Sequence, residues 1–170
     1  MWQYTGRKRP PFAHTPAPGQ ESVWDYPRPP VLVPARASIT VRSGHREIAC
    51  TTDALRVLET ASPPSYYLPG TAINWRHLVR CGEQSYCEWK GVATYWALAG
   101  DDTAQAVGWS YERPRAAFAG IGGYLSFYPA SVDCFINREK VRPQPGAFYG
   151  GWVTNNLAGP FKGEPGTGHW

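Results

Sequence analysis

No apolar run in this chain approaches the ~18 residues that a membrane-spanning helix needs, so no membrane partner is expected. Charge is also sparse. Charged residues make up 18% against 42% hydrophobic, which excludes a disordered composition. The net charge of +4 comes from cations scattered in small groups, Arg7–Lys8–Arg9, Arg113/Arg115 and Arg138–Lys140–Arg142. A nucleic-acid binder usually presents a denser stripe, because phosphate affinity grows with clustered cations, so nucleic acid is not an expected partner. Four cysteines, at 50, 81, 87 and 134, are too few and too irregular for a secreted disulfide framework. The stretch MWQYTGRKRPPF has no apolar core after its charges, so no secretory leader is read in it. Cytoplasmic residence with reduced thiols is the expectation. There is no internal repeat, heptad or single-residue tract.

Several nucleotide and metal motifs are missing too. GPFKGEPGT, near the end, departs from a phosphate loop: Lys162 precedes Gly163, no lysine follows Gly166, and Pro165 obstructs the backbone. Zinc sites use closely spaced cysteine pairs. Cys81 and Cys87 are separated by five residues, Cys50 and Cys134 stand alone, and His14, His45, His77 and His169 show no paired spacing. Neither a metal nor a cofactor is expected.

What the chain has in abundance is turn residues and aromatics: 17 Pro, 18 Gly, 8 Trp, 10 Tyr and 6 Phe in 170 residues. Short aromatic or β-branched runs between such turns predict a mainly β, antiparallel single domain. Residues 1–36 read as a Pro- and aromatic-rich arm laid on the body, 37–142 as the body, and 143–170 as a Gly/Pro-rich tail packed on it. ITVRSGHREIACTT predicts a hairpin about Ser43–Gly44–His45, with Ile39, Val41, Ile48 and Cys50 buried. DALRVLET, 53–60, predicts one short helix capped near Thr52 or Asp53 and ended by Pro63–Pro64. SYYLPG is a short strand or bend. QSYCEWKGVATYWAL and AVGWSYE read as strands joined by a Gly-Asp-Asp turn, and YLSFY and VDCFIN as a hairpin through Pro129.

The segment SYCEWKGVATYW holds the candidate chemistry. On a regular strand Ser85, Cys87 and Trp89 share one face and Tyr86, Glu88 and Lys90 the other. Cys87 and Lys90 then point apart, and only a bend, which Gly91 permits, brings thiol and amine together. A lysine beside Trp89, Tyr95 and Trp96 is either half-desolvated, with a lowered pKa suited to a base or Schiff-base amine, or solvent-facing with its stem over the rings. Trp109 and Tyr111 share a strand face. With Tyr66 and Tyr67 beside Pro69, they suggest either a cleft that stacks on a flat ligand or aromatic pins for the arms.

CEWKGVATYW, followed by VGWSYERP and GYLSFY, resembles a bacterial domain-of-unknown-function family, number 427, which also carries a nucleotidyltransferase-like label. The resemblance runs nearly end to end, with the Pro-rich and Gly-rich extensions similar to those of one subgroup. It implies a β-tent-like fold, in which antiparallel sheets meet as a ridge; related tents bind zinc through cysteine pairs or hold ligands in aromatic cages. Family positions fall on Glu59, Tyr67, Pro69, Cys87, Lys90, Gly91, Tyr95, Trp109, Tyr111, Pro114 and Tyr128. Two departures stand out. Glu88 replaces the proline that usually follows the cysteine, and no acid lies between Glu59 and Glu83 to follow the Tyr-x-Pro element. Nucleotidyl transfer wants paired carboxylates for magnesium, and the best pair, Asp101–Asp102, falls in a turn.

The resulting expectation is an aromatic-lined pocket for a small molecule of unstated class, with Tyr67, Lys90, Tyr95, Trp109 and Tyr111 as its binding residues. Lys90, Cys87 and Glu59 are the catalytic candidates, with Glu59 as counter-ion to Lys90. The alternative is a protein-interaction module that uses the aromatic arms, as in a homodimer.

Overall fold

A computed structural model describes residues 2–170. Its regular structure is almost wholly antiparallel strand; helix is confined to short 3-10 turns, the longest at Ala116–Ile121. Among the described residues no helix is long and apolar enough to cross a membrane.

Two four-stranded sheets meet over the main core. One runs Leu125–Phe127, Ala106–Ser110, Gly91–Leu98, Leu78–Cys87; the other runs Glu139–Lys140, Asp133–Ile136, Ile39–Ser43, Arg46–Thr51. Ile39, Val41, Ile48 and Cys134 from the second pack with Leu78, Val107, Leu125 and Phe127 from the first. A three-stranded sheet, Val31–Pro34, Leu55–Leu58, Ser65–Tyr67, joins the first at its edge, where Leu68 and Leu125 exchange backbone hydrogen bonds of 2.8 and 2.9 Å. The chain is therefore the mainly β single domain that its turn-rich composition predicts.

Three local expectations are corrected. Residues 53–60 contain a strand, Leu55–Leu58, and no helix. A helix this short is marginal alone, whereas here both strand edges find partners, Val31–Pro34 on one side and Ser65–Tyr67 on the other. The side chains follow period two: Leu55 and Val57 enter the aromatic core while Arg56 makes two 2.9 Å hydrogen bonds to Glu21. Second, Cys50 is exposed rather than buried. A bulge between Val41 and Arg42 sets Val41 opposite Ala49 and Arg42 opposite Glu47, so Ile48 and Ala49 are both buried and the alternation beyond is reversed. Third, Pro129 does not close a hairpin. Leu125–Phe127 pairs with Ala106–Ser110 and Asp133–Ile136 with Ile39–Ser43, so the Tyr128–Val132 turn carries the chain from one sheet to the other.

The two ends of the chain meet. Glu21–Ser22 lies parallel to Leu157–Ala158. Trp24, wholly buried, has the Trp170 ring at 5.2 Å and the Tyr4 ring at 5.3 Å, and its indole N–H donates to the Pro160 carbonyl at 3.1 Å. The tail also pairs with the body through Trp152–Val153 and Arg142–Pro143.

Candidate functional site

The second cluster of buried residues has a hole in it. Val57 and Tyr67 from the three-stranded sheet, Ala93 and Trp109 from the first four-stranded sheet (the long sheet), Tyr111 just past its Ala106–Ser110 strand, and Phe118 and Ile121 from the 3-10 turn make the cluster, and beside them opens a cavity of about 270 Å³.

Lys90 reaches the cavity because the strand ends before it. Cys87 pairs with Gly91, so Glu88, Trp89 and Lys90 form the turn of the long hairpin. Gly91 sits at φ +103°, where a side chain would be strained. The Lys90 carbonyl accepts from Arg115 N–H at 3.0 Å, which anchors the turn. This bend defeats the strand alternation that would turn thiol and amine apart: Cys87 and Lys90 both line the cavity. Lys90 Nζ lies 5.8 Å from the centroids of both the Tyr111 and Phe118 rings.

Electrostatics fixes the protonation states. Burial of Lys90 would lower its pKa; the negative charges that Tyr67 and Cys87 carry when ionised, and that of Glu59, act the other way and raise it. The upward direction is opposite to the lowered pKa that a base or Schiff-base amine needs. Burial pushes the Tyr67, Tyr111 and Tyr128 phenols up as well, so all three are neutral donors. The Tyr67 oxygen accepts from the Trp109 indole N–H at 3.1 Å, and Tyr95 shares a 2.6 Å hydrogen bond with Ser85.

These shifts share a sign. Each folded-state pKa lies above its unfolded value of about 10 for tyrosine or 10.4 for lysine, so their stabilisation is complete below about pH 10 and is lost as pH rises through the folded values. Urea midpoints are expected to hold steady up to about pH 9 and fall above about pH 10, with tyrosinate absorbance from these phenols rising together with unfolding. Ionisation of Tyr67 and Tyr111 at ordinary values in an intact fold would contradict this.

Glu59 also lines the cavity, yet it is bonded elsewhere. Its carboxylate accepts from Arg28 Nε at 3.2 Å, and Arg28 further donates to the Thr60 and Tyr4 carbonyls at 2.8 and 3.3 Å. Arg28, rather than Lys90, is its ion-pair partner; Lys90 feels Glu59 only as a longer-range field. Asp101 is committed too, accepting from Thr103 N–H and Oγ1 within its turn.

Residues 31–138 match the family described as a domain of unknown function (DUF427), which carries the label NTP_transf_9. That is more than half of the chain. The chain belongs to the DUF427 family. The matched span opens at Val31, the first residue of the strand beside Leu55–Leu58, and contains Glu59, Tyr67, Cys87, Lys90, Tyr95, Trp109 and Tyr111, all of which line the one cavity. A search of the curated proteins returns no match.

This DUF427 chain adds a second lining from beyond the matched span, which sequence reasoning missed. Gln144 and Phe148–Gly151 of the tail close one side of the cavity. Gln144 Oε1 accepts from Gly151 N–H at 3.0 Å while its Nε2 donates to the Lys162 carbonyl at 2.7 Å. A Cβ on Gly150 would overlap the Trp109 indole, and one on Gly151 would overlap Gln144 and the Pro63 carbonyl. The Gly150–Gly151 pair was the available signal, since adjacent glycines permit a backbone to lie flat on a ring. Tyr128, 4.5 Å from Trp109 between ring centroids, was likewise placed among family positions without a site role.

Proposed function

We propose that this DUF427 protein is a small-molecule binder whose pocket is walled by Tyr67, Tyr95, Trp109 and Tyr111 and anchored by Lys90. One observation carries the reading: residues from two separate sheets and the tail converge on a single cavity that contains the Lys90 amine. Small-ligand sites share this construction, apolar walls with few polar groups placed among them. A magnesium-assisted nucleotide reaction draws less support, because the one carboxylate in the lining, Glu59, is already held by Arg28. The interaction-module reading draws less as well, because Trp24 of the arm is wholly buried and Trp170 of the tail packs on it.

A thermal-shift panel of nucleotides, sugars, aldehydes, amines and divalent metals tests the proposal on wild type and Lys90→Ala. A ligand at a hundredfold excess over its Kd is expected to add about 2.7 kcal/mol of stability. That gain should vanish in a folded Lys90→Ala protein. A gain of equal size in both proteins would place the ligand elsewhere.

A further inference from the structure

We infer that the Lys90 pocket takes a small, flat, singly charged anion: a carboxylate on a ring or conjugated plane, with its charge against Lys90 and its plane along Trp109 and Tyr111. The inference rests on the pocket being a binding site and adds the chemical class of its occupant.

The sign of the charge follows from the lining. It contains one ammonium, Lys90, and one carboxylate, Glu59. Glu59 is neutralised by Arg28, whose side chain is only 1% exposed and which does not line the cavity. Among the described residues none of the ion pairs includes Lys90. A half-buried ammonium without a carboxylate partner leaves the cavity positive, and a desolvated charge is stable only when paired. A cationic guest at Tyr111 would meet the like charge of Lys90, whose Nζ already stands 5.8 Å from that ring's centroid.

A second donor points to the same class. Tyr67 is wholly buried and its oxygen already accepts from the Trp109 indole, so its hydroxyl hydrogen requires a different acceptor. Tyr67, Ser65 and Lys90 line the same cavity, so an anion held there by Lys90 competes with Ser65 for the phenol hydrogen. A carboxylate offers two oxygens: one for Lys90, one for Tyr67.

Charge number and size follow from the same walls. The lining has a single cation and no arginine, where phosphate recognition usually draws on forked guanidinium or several backbone donors. Arg28 and Lys162 are engaged outside it, Lys162 Nζ donating to the Trp170 carbonyl at 2.9 Å. At about 270 Å³ the cavity falls just under the ~300 Å³ lower end of ordinary small-molecule sites, so the guest is of single-ring size.

The test titrates four probes of one shape, benzoate, benzamide, benzamidine and phenyl phosphate, into the full chain, following the Trp109 indole N–H resonance by NMR. Benzoate is expected to bind tightest. Lys90→Met, which keeps the length of the side chain, should weaken it about tenfold or more, as should loss of any hydrogen bond to a charged group. Tyr67→Phe should weaken benzoate while leaving benzamide less affected. Benzamidine or phenyl phosphate binding as tightly as benzoate overturns the assignment, and so does unchanged benzoate affinity in Lys90→Met. The two readings fail separately. If benzamide or benzamidine shifts the resonance and benzoate does not, the pocket stands and its charge class is wrong. If no ring shifts it, the binding site itself is refuted.

Discussion

Trp152→Ala is expected to lower the unfolding free energy by about 3–5 kcal/mol, the range for removing a large aromatic from a core. Trp152 is 0% exposed and stacks on Tyr66 at 4.9 Å. Its indole N–H donates to the Phe127 carbonyl at 2.9 Å and its backbone N–H to the Pro64 carbonyl at 2.8 Å. It joins three parts of the molecule: the tail it belongs to, the long sheet through Phe127, and the segment before Tyr66. Truncation leaves a cavity and an unpaired carbonyl together. Because Gly151 and Gly150 immediately precede it, the tail that lies on Trp109 loses its nearest anchor. Urea denaturation reads the loss. Phe148→Ala is the control: Phe148 is 82% exposed, so the change should stay within about 0.5 kcal/mol. A Trp152→Ala loss no larger than the control's would mean the tail is not part of the cooperative fold.

The second large effect belongs to Arg28. Arg28→Met is expected to cost about 3–5 kcal/mol, the range for removing one partner of a buried pair. The change strands Glu59 and removes a donor from the Thr60 carbonyl. Adding Glu59→Gln to Arg28→Met should restore part of the loss, because the stranded charge goes with it. Arg9→Met, which breaks the exposed pair with Asp25, should cost about 1 kcal/mol or less. Equal effects at Arg28 and Arg9 would show that Glu59 is solvated, with its charge free to act on Lys90.

The contrast between these two arginines bears on what the sequence could disclose. Patterns with local causes were legible. The Ile39–Thr51 hairpin follows from alternation about a two-residue Gly44–His45 turn. The gathering of Tyr67, Tyr95, Trp109 and Tyr111 follows from aromatics at matching positions in neighbouring strands, as when Tyr95 pairs opposite Trp109. What escaped was set by partners distant in sequence. Leu55–Leu58 has helix-forming residues, yet its partner strands satisfy its backbone better than an isolated turn of helix would. Ile48 and Ala49 are buried in succession because of a one-residue bulge, which alternation cannot register. Glu59 looked free for Lys90 because nothing local connects it to Arg28, across 31 residues.

Lys90 shows the same division within one residue. Strand periodicity correctly separates Cys87 from Lys90 for a regular strand, and Gly91 correctly marks where a bend is possible. Whether the bend occurs depends on the hairpin's register and on the Arg115 N–H that holds the Lys90 carbonyl. The tail's contribution was the least legible. Gly150–Gly151 announces a close approach without naming the ring approached, and only the fold brings that ring, Trp109, beneath it.

The most direct measurement is a crystal structure of the full chain grown with benzoate. The account predicts the ring beside Trp109 and Tyr111, one carboxylate oxygen within about 3 Å of Lys90 Nζ, and the other taking the Tyr67 hydroxyl hydrogen. An empty cavity with Lys90 turned to solvent, or benzoate bound only outside the Trp109 pocket, would contradict it.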